Sequence, residues 1–173
     1  FVGHGMLSER AKLYLPLTRT DTDHVHLTGM PFSHVRDALL GSPARVKISI
    51  LDCCHSGRAV QALSPAGKSL ALAADVRGTY TWTAADGPAH VVPLEQQANV
   101  CTSFTGELIG LVREGIPNGP TLLTLDHLYE PLRQRMLARN LPQPNRVVDD
   151  TASSAPFTRN AWSNTSHTTS APS

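Results

Sequence analysis

The sequence predicts an α/β protein whose mostly parallel central sheet is covered by helices. Two runs rich in β-branched and aromatic residues, "RVKISILD" (45–52) and "GTYTWTAA" (78–85), are typical of buried strands. Segments with helical spacing of apolar residues precede the first run and follow the second. Strands that alternate with helix-sized segments favour a parallel sheet with helices on its faces. In such sheets the functional residues lie just beyond the C-terminal ends of the strands.

The first forty residues predict a strand end, a hairpin arm and a helix. The opening "FVGHG" indicates that residues 1–2 finish a buried strand that stops at Gly3. The stretch "LYLPL" (13–17) alternates weakly and predicts a short hairpin arm. A helix is predicted over 31–40, because Pro31 suits a first helical turn and apolar residues recur at helical spacing. A glycine at position 41 then ends it.

The second half predicts two further helices and a disordered end. "SFTGELIGLVREG" (103–115) is amphipathic and stops at its final glycine. "TLDHLYEPLRQRMLARN" (124–140) predicts another helix, which Pro131 either kinks or forces to start late. Beyond Asp150 the chain loses its periodic pattern. We therefore expect one domain over residues 1–162 and a disordered Ser/Thr-rich tail over 163–173.

Composition narrows the classes of partner. The net charge is +1 and the basic residues are scattered, so a nucleic-acid partner is not expected. No apolar run reaches the roughly 20 residues that span a bilayer, so no membrane association is expected. Three cysteines, two of them adjacent, make a poor disulfide framework and favour a reducing compartment. The sequence therefore predicts a cytoplasmic protein.

Chemically reactive residues follow two of the predicted strands, the strand that ends at residues 1–2 and the strand over 45–52. His4 stands between two glycines, and Cys54 lies two positions after Asp52 in "SILDCCHSG" (49–57). If the two strands are parallel neighbours, their ends bring His4 and Cys54 together, although 50 positions separate them. An imidazole beside a thiol activates it as a nucleophile and then protonates the leaving amine. The backbone N–H groups of Gly5 and Cys54 are candidates for an oxyanion hole.

These motifs resemble those of a known family. "GHG" (3–5) and "DCCHSG" (52–57), in this order and at this spacing, are similar to the histidine and cysteine motifs of caspase-like peptidases, specifically metacaspases and their bacterial relatives. Three later segments also look like that family, so the resemblance covers nearly all of residues 1–162. These segments are "TYTWTAAD", "TSFTGELIGLVREGIPNGP" and "LTLDHLYEPLRQRMLARNLPQPNR".

The resemblance implies a three-layer αβα sandwich and a cysteine endopeptidase that acts on proteins or peptides without a cofactor. It implies that Cys54 is the nucleophile, that His4 is the base, and that Cys53 packs as a small hydrophobe. By the same resemblance, Asp52 lines the pocket for the residue before the cut, which implies cleavage after Arg or Lys. A carboxylate that is partly buried favours a cationic partner. Asp86 is a second candidate acid for that pocket.

Truncation of the chain and four alternative interpretations follow from the same residues. The family's first strand and helix, which precede the histidine strand, are expected to be missing, so the chain is expected to be a truncated portion of a longer peptidase and poorly active alone. Such a parent chain leaves room for further domains. The rival function is a catalytically inactive caspase-like module for binding or regulation, and Asp52 is alternatively a cap of local backbone groups. A zinc site is rejected because adjacent cysteines do not match zinc-ligand spacing. Asp21 and Asp23 suggest calcium, but a polar surface loop explains them, and no metal is predicted.

Overall fold

A computed structural model of the chain describes residues 1–8, 10, 12–53, 78–84, 101–148 and 150–162. These residues contain both helices and strands, which confirms the predicted α/β class, and the strands form three small sheets. The chain divides into two compact units, Phe1–His90 with Pro142–Ala152 and Val91–Leu141 with Ser153–Ser173. The caspase-like three-layer arrangement and the single domain over 1–162 stay predictions.

The helices and strands of the described residues are numbered in chain order. They are β1 (Met6–Leu7), β2 (Leu13–Leu15), α1 (Val25–Thr28), β3 (Met30–Pro31), α2 (Phe32–Gly41), β4 (Lys47–Leu51), β5 (Thr79–Thr83), α3 (Ser103–Glu114), β6 (Leu122–Thr124), α4 (Leu125–Ala138), β7 (Asn145–Val148), α5 (Asp150–Ser153) and β8 (Pro156–Arg159).

A small antiparallel sheet follows the N-terminal segment in the first unit. β2 pairs with β1 on one side and with β3 on the other, which confirms the predicted hairpin arm. Leu13 and Leu15 of β2 are buried, whereas Tyr14 between them is only half-buried. This alternation is the period of two that a strand with one buried face requires.

The larger sheet of the first unit has the order β4–β5–β7. β4 and β5 are parallel, with Ile50 opposite Trp82, and β7 is antiparallel to β5. The strand predicted over 45–52 is observed in the same place with shorter ends. The expectation of burial on both faces holds for β5 but not for β4, because Leu51 is 2% exposed while Ile48 is 40% exposed.

Helix α2 lies one residue further along the chain than predicted. Pro31 ends β3 and caps the helix, so the first helical residue is Phe32. Proline suits this boundary because its fixed φ and missing N–H cost nothing where no intrahelical bond is made. Gly41 is the last helical residue rather than the stop. Phe32 is 2% exposed and fixes the helix to the hydrophobic core of the unit.

The second unit is built on the packed pair of helices α3 and α4. Phe104 and Leu111 are the fully buried residues of α3, and Gly115 caps its end as predicted. Helix α4 begins at Leu125 behind a capping box formed by Thr124 and His127. Pro131 lies inside it, so the predicted late start is wrong. Ion pairs join the two helices, Arg135 with Glu114 at 2.5 Å and Arg139 with Glu107.

The prediction that regular structure ends at Asp150 is wrong, because a short helix and the strand β8 follow directly. β8 pairs in antiparallel fashion with β6, and Asn160 beyond it is buried. The predicted disordered tail, 163–173, lies outside the described residues. Within the ranges that the structure describes, no helix combines the length and apolar character needed to cross a bilayer.

Candidate active site

The segment that carries His4 lies alongside the C-terminal end of β4. Val2 and Asp52 face each other in a parallel bridge. The Phe1 amine donates to the Ile50 carbonyl at 2.8 Å, and the Asp52 N–H donates to the Phe1 carbonyl at 2.9 Å. The Gly3 N–H donates to the Asp52 carbonyl at 3.1 Å. This alternating pattern is that of a parallel ladder, which confirms that the two predicted strand ends are neighbours.

Asp52 and Cys53 are both buried where β4 ends. Asp52 is 3% exposed and Cys53 is 1% exposed. Cys53 belongs to an apolar cluster with Leu51 and Phe32, which confirms the prediction that it packs as a small hydrophobe. On the other side of the strand, the Ala84 N–H donates to the Leu51 carbonyl at 3.0 Å. The backbone just before position 54 is therefore held from both sides.

His4 is exposed between two anchored positions. Gly3 before it is hydrogen-bonded to Asp52, and Gly5 after it is buried. β1 then begins at Met6, which lies opposite Tyr14 of β2. The chain is thus paired on both sides of His4, while His4 itself is exposed to solvent.

Two predicted site residues, Cys54 and Asp86, lie outside the described residues. The distance between His4 and the sulfur of Cys54, and the oxyanion contact of the Cys54 N–H, therefore stay predictions. The role of Asp86 as a second acid of the pocket also stays a prediction. The described residues bring together His4, Gly5 and Asp52 at one edge of the sheet.

Trp82 shares a sheet face with Asp52, a relationship that the sequence reasoning did not use. Trp82 lies opposite Ile50, and Asp52 is two positions further along the same strand direction, so the three side chains project to one face. Tyr80 lies on that face as well, with its ring edge-on to Trp82 at a centroid separation of 6.0 Å. The alternation in "TYTWT" was the signal that could have indicated it, since aromatic residues stand at every second position.

The acidic loop considered for calcium is occupied by its own hydrogen bonds. The carboxylate of Asp21 accepts from the Asp23 N–H at 3.0 Å and contacts Nδ1 of His24 at 3.0 Å. The hydrogen bond with His24 is the main cause that lowers the pKa of Asp21. In the part of the chain that the structure describes, no three His, Cys, Asp or Glu side chains are grouped to hold a metal ion.

The parallel bridge between Val2 and Asp52 joins the segment that carries His4 to the end of β4. No protein-family model, no curated protein and no solved structure matches the chain.

Proposed function

We propose that the chain is a cysteine-type endopeptidase of the caspase-like class, with His4 and Cys54 as its catalytic dyad. The observation that carries the proposal is the parallel bridge between Val2 and Asp52. If the two segments kept that register for two more positions, position 4 would lie opposite position 54. Neighbouring strands are about 4.8 Å apart, a separation at which histidine and cysteine side chains on adjoining strand ends reach each other.

The proposed reaction proceeds in two acyl-transfer steps. The imidazole of His4 takes the thiol proton of Cys54, and the thiolate attacks the carbonyl carbon of the substrate. The tetrahedral oxyanion is stabilised by the N–H groups of Gly5 and Cys54. Collapse breaks the C–N bond, and His4 passes its proton to the departing amine. Water, deprotonated by His4, then hydrolyses the thioester and restores the thiol.

Asp52 supports a preference for cleavage after Arg or Lys. Asp52 is 3% exposed and lies at the end of β4, where a substrate would approach the dyad. A carboxylate at such a position attracts a cation and can form charge-assisted hydrogen bonds with it, which favours a basic substrate side chain.

The wider proposal includes the caspase-like three-layer arrangement, protein or peptide substrates and a cytoplasmic location. The parallel pairing of β4 and β5 and the packing of Phe32 against Leu51 support the arrangement. The low net charge argues against a nucleic-acid partner and so favours protein or peptide substrates. The small number of cysteines supports a location in the reducing cytoplasm.

The test compares the alkylation rates of individual cysteines by iodoacetamide, followed by peptide mapping with mass spectrometry. We expect Cys54 to react faster than the exposed Cys101, and His4→Ala to remove that advantage. Cys101→Ala is the matched control and should leave the Cys54 rate unchanged. Equal rates at the two cysteines, with no effect of His4→Ala, would contradict the peptidase and support the inactive binding or regulatory module.

A substrate assay completes the test. Peptides that carry Arg, Asp or a neutral residue before the scissile bond are incubated with the purified chain and with Cys54→Ala. The expected result is slow hydrolysis after Arg alone, abolished in Cys54→Ala. Cleavage after Asp would contradict the role proposed for Asp52.

A further inference from the structure

One buried cluster contacts both segments that carry the proposed dyad. We name it the anchoring cluster. Its members are Leu13, Leu15, Phe32, Leu51 and Cys53. They come from β2, α2, β4 and the residue that follows Asp52, and each is at most 5% exposed.

On the cysteine side, the anchoring cluster contains the residue directly before Cys54. Cys53 is 1% exposed, and Leu51 on the same face of the strand is 2% exposed. The carbonyl of Leu51 accepts from Ala84, and that of Asp52 accepts from Gly3, so the backbone cannot rotate freely here. Successive Cα atoms are about 3.8 Å apart, so the next residue in the chain, Cys54, is one peptide unit from the buried Cys53.

On the histidine side, the anchoring cluster is reached through β1. Leu7 of β1 packs against the cluster and lies opposite Leu13 of β2. His4 is three residues before Leu7 and one residue after Gly3, which is bonded to Asp52. The short segment that carries His4 is therefore tied at one end to β4 and at the other to the cluster that holds Cys53.

We propose that the anchoring cluster positions His4 relative to Cys54, with Leu15 as a positioning residue remote from both. This inference rests on the proposed function. Leu15 is 1% exposed, and it lies opposite Met30 of β3. It is a member of the cluster, but it is not next to either dyad residue in the sequence. Because the interior is close-packed, removing the Leu15 side chain lets the neighbouring members of the cluster shift.

The test measures the rate of Cys54 alkylation against pH in the full chain, with His4→Ala as the reference for a dyad that is lost. We expect Leu15→Ala to lower the His4-dependent part of the rate by roughly 10- to 100-fold, the effect of misplacing a catalytic group by about 1 Å. The pH profile should move towards that of His4→Ala. Leu15→Val, which removes one methylene group, should shift the rate in the same direction by less, and it keeps the test open if Leu15→Ala does not fold.

Matched substitutions in the other unit separate positioning from stability. Leu128 of α4 is also fully buried, so Leu128→Ala and Leu128→Val remove the same atoms from a different core. They should leave the Cys54 pH profile unchanged even where they lower the thermal midpoint. Wild-type profiles in both Leu15 variants would overturn the positioning role alone. A wild-type profile in His4→Ala would overturn the dyad and this inference with it.

Discussion

Val2 lies directly opposite Asp52 in a parallel bridge, although the two residues are far apart in the chain. Bringing such distant segments together costs loop-closure entropy, which the pairing must offset. Three backbone hydrogen bonds of 2.8–3.1 Å surround the bridge, and Cys53 next to it is 1% exposed. This pairing links the segment ending at His4 to the segment ending at Cys54, and the proposed chemistry depends on it.

Asp52→Asn should reduce the proposed preference for a basic substrate side chain. An arginyl chloromethyl ketone is the probe, since it alkylates a dyad cysteine without requiring turnover. Because the substitution removes one charge of a pair formed at a buried position, we expect its rate constant at Cys54 to fall on the order of 100-fold. The rate with a leucyl chloromethyl ketone should change little.

Asp37→Asn is the matched control for that experiment. Asp37 is a carboxylate of the same unit, but its side chain is 65% exposed and pairs with Arg36. It should leave both rate constants unchanged. An unaltered ratio of arginyl to leucyl labelling in Asp52→Asn would exclude Asp52 from the specificity pocket.

Two helix-terminal glycines should respond in opposite ways to alanine. Gly115 has φ +77°, and a Cβ there would lie 2.4 Å from the backbone nitrogen of Trp162. Gly115→Ala should therefore destabilise by on the order of 1–3 kcal/mol. A Cβ on Gly41, the last residue of α2, meets nothing within 4 Å, so Gly41→Ala should be neutral or stabilise by up to about 1 kcal/mol. Urea unfolding of both variants checks this, and equal losses would contradict it.

The elements that the sequence predicted well are those with a strong local pattern. The run of 45–52 is rich in β-branched residues, and 103–115 combines helical spacing with a terminal glycine, so local preference and tertiary packing agree. The neighbourhood of His4 and the cysteine strand was also predictable, because both motifs follow apolar runs that end in glycine or polar residues. The exposure of Ile48 was not, since pairing alone does not say which face is covered.

The missed strands β7 and β8 are short, and their partners are distant in sequence. β7 and β8 are four residues each, and β8 pairs with β6, more than thirty positions earlier. Such strands form because an edge is available to complete their hydrogen bonds, which single-sequence periodicity does not report. The burial of Asn160 beyond β8 likewise depends on the end of α3, a partner that no local pattern reveals.

Asn160→Ala should destabilise the second unit by removing three hydrogen bonds. The Asn160 amide is 1% exposed; it accepts from the Ile116 N–H at 2.9 Å and donates to the Ile116 carbonyl at 2.9 Å. It also accepts from the Trp162 N–H at 3.2 Å. Because buried backbone groups lose their partner, we expect a loss on the order of 2–4 kcal/mol.

The measurement for Asn160 is equilibrium unfolding in urea, with Gln134→Ala as control. Gln134 is an exposed amide in the same unit that donates to Glu130. Its removal should change the free energy of unfolding by well under about 1 kcal/mol, as surface substitutions usually do. Comparable losses in the two variants would show that Asn160 does not fix the end of α3.

The stability of the α3–α4 pair should depend on pH through Glu114. The hydrogen bond and the charge of Arg135 lower the pKa of Glu114 from its usual 4.5. A carboxyl group whose pKa is lower in the folded state stabilises the fold above its unfolded pKa, and that stabilisation is lost as pH falls through the folded pKa. Glu114→Gln should therefore be less stable than the wild type near neutral pH, and the difference should disappear in acid.

Thermal unfolding of both proteins along a pH series measures this difference. The Glu114 side chain is 64% exposed, so the effect should be small and should weaken with added salt. Arg135→Gln is the matched control and should remove the same pH-dependent part, and the double variant should add nothing further because the two residues act as one pair. A difference between wild type and Glu114→Gln that stays constant from neutral pH into acid would mean that the pair does not contribute through its charges.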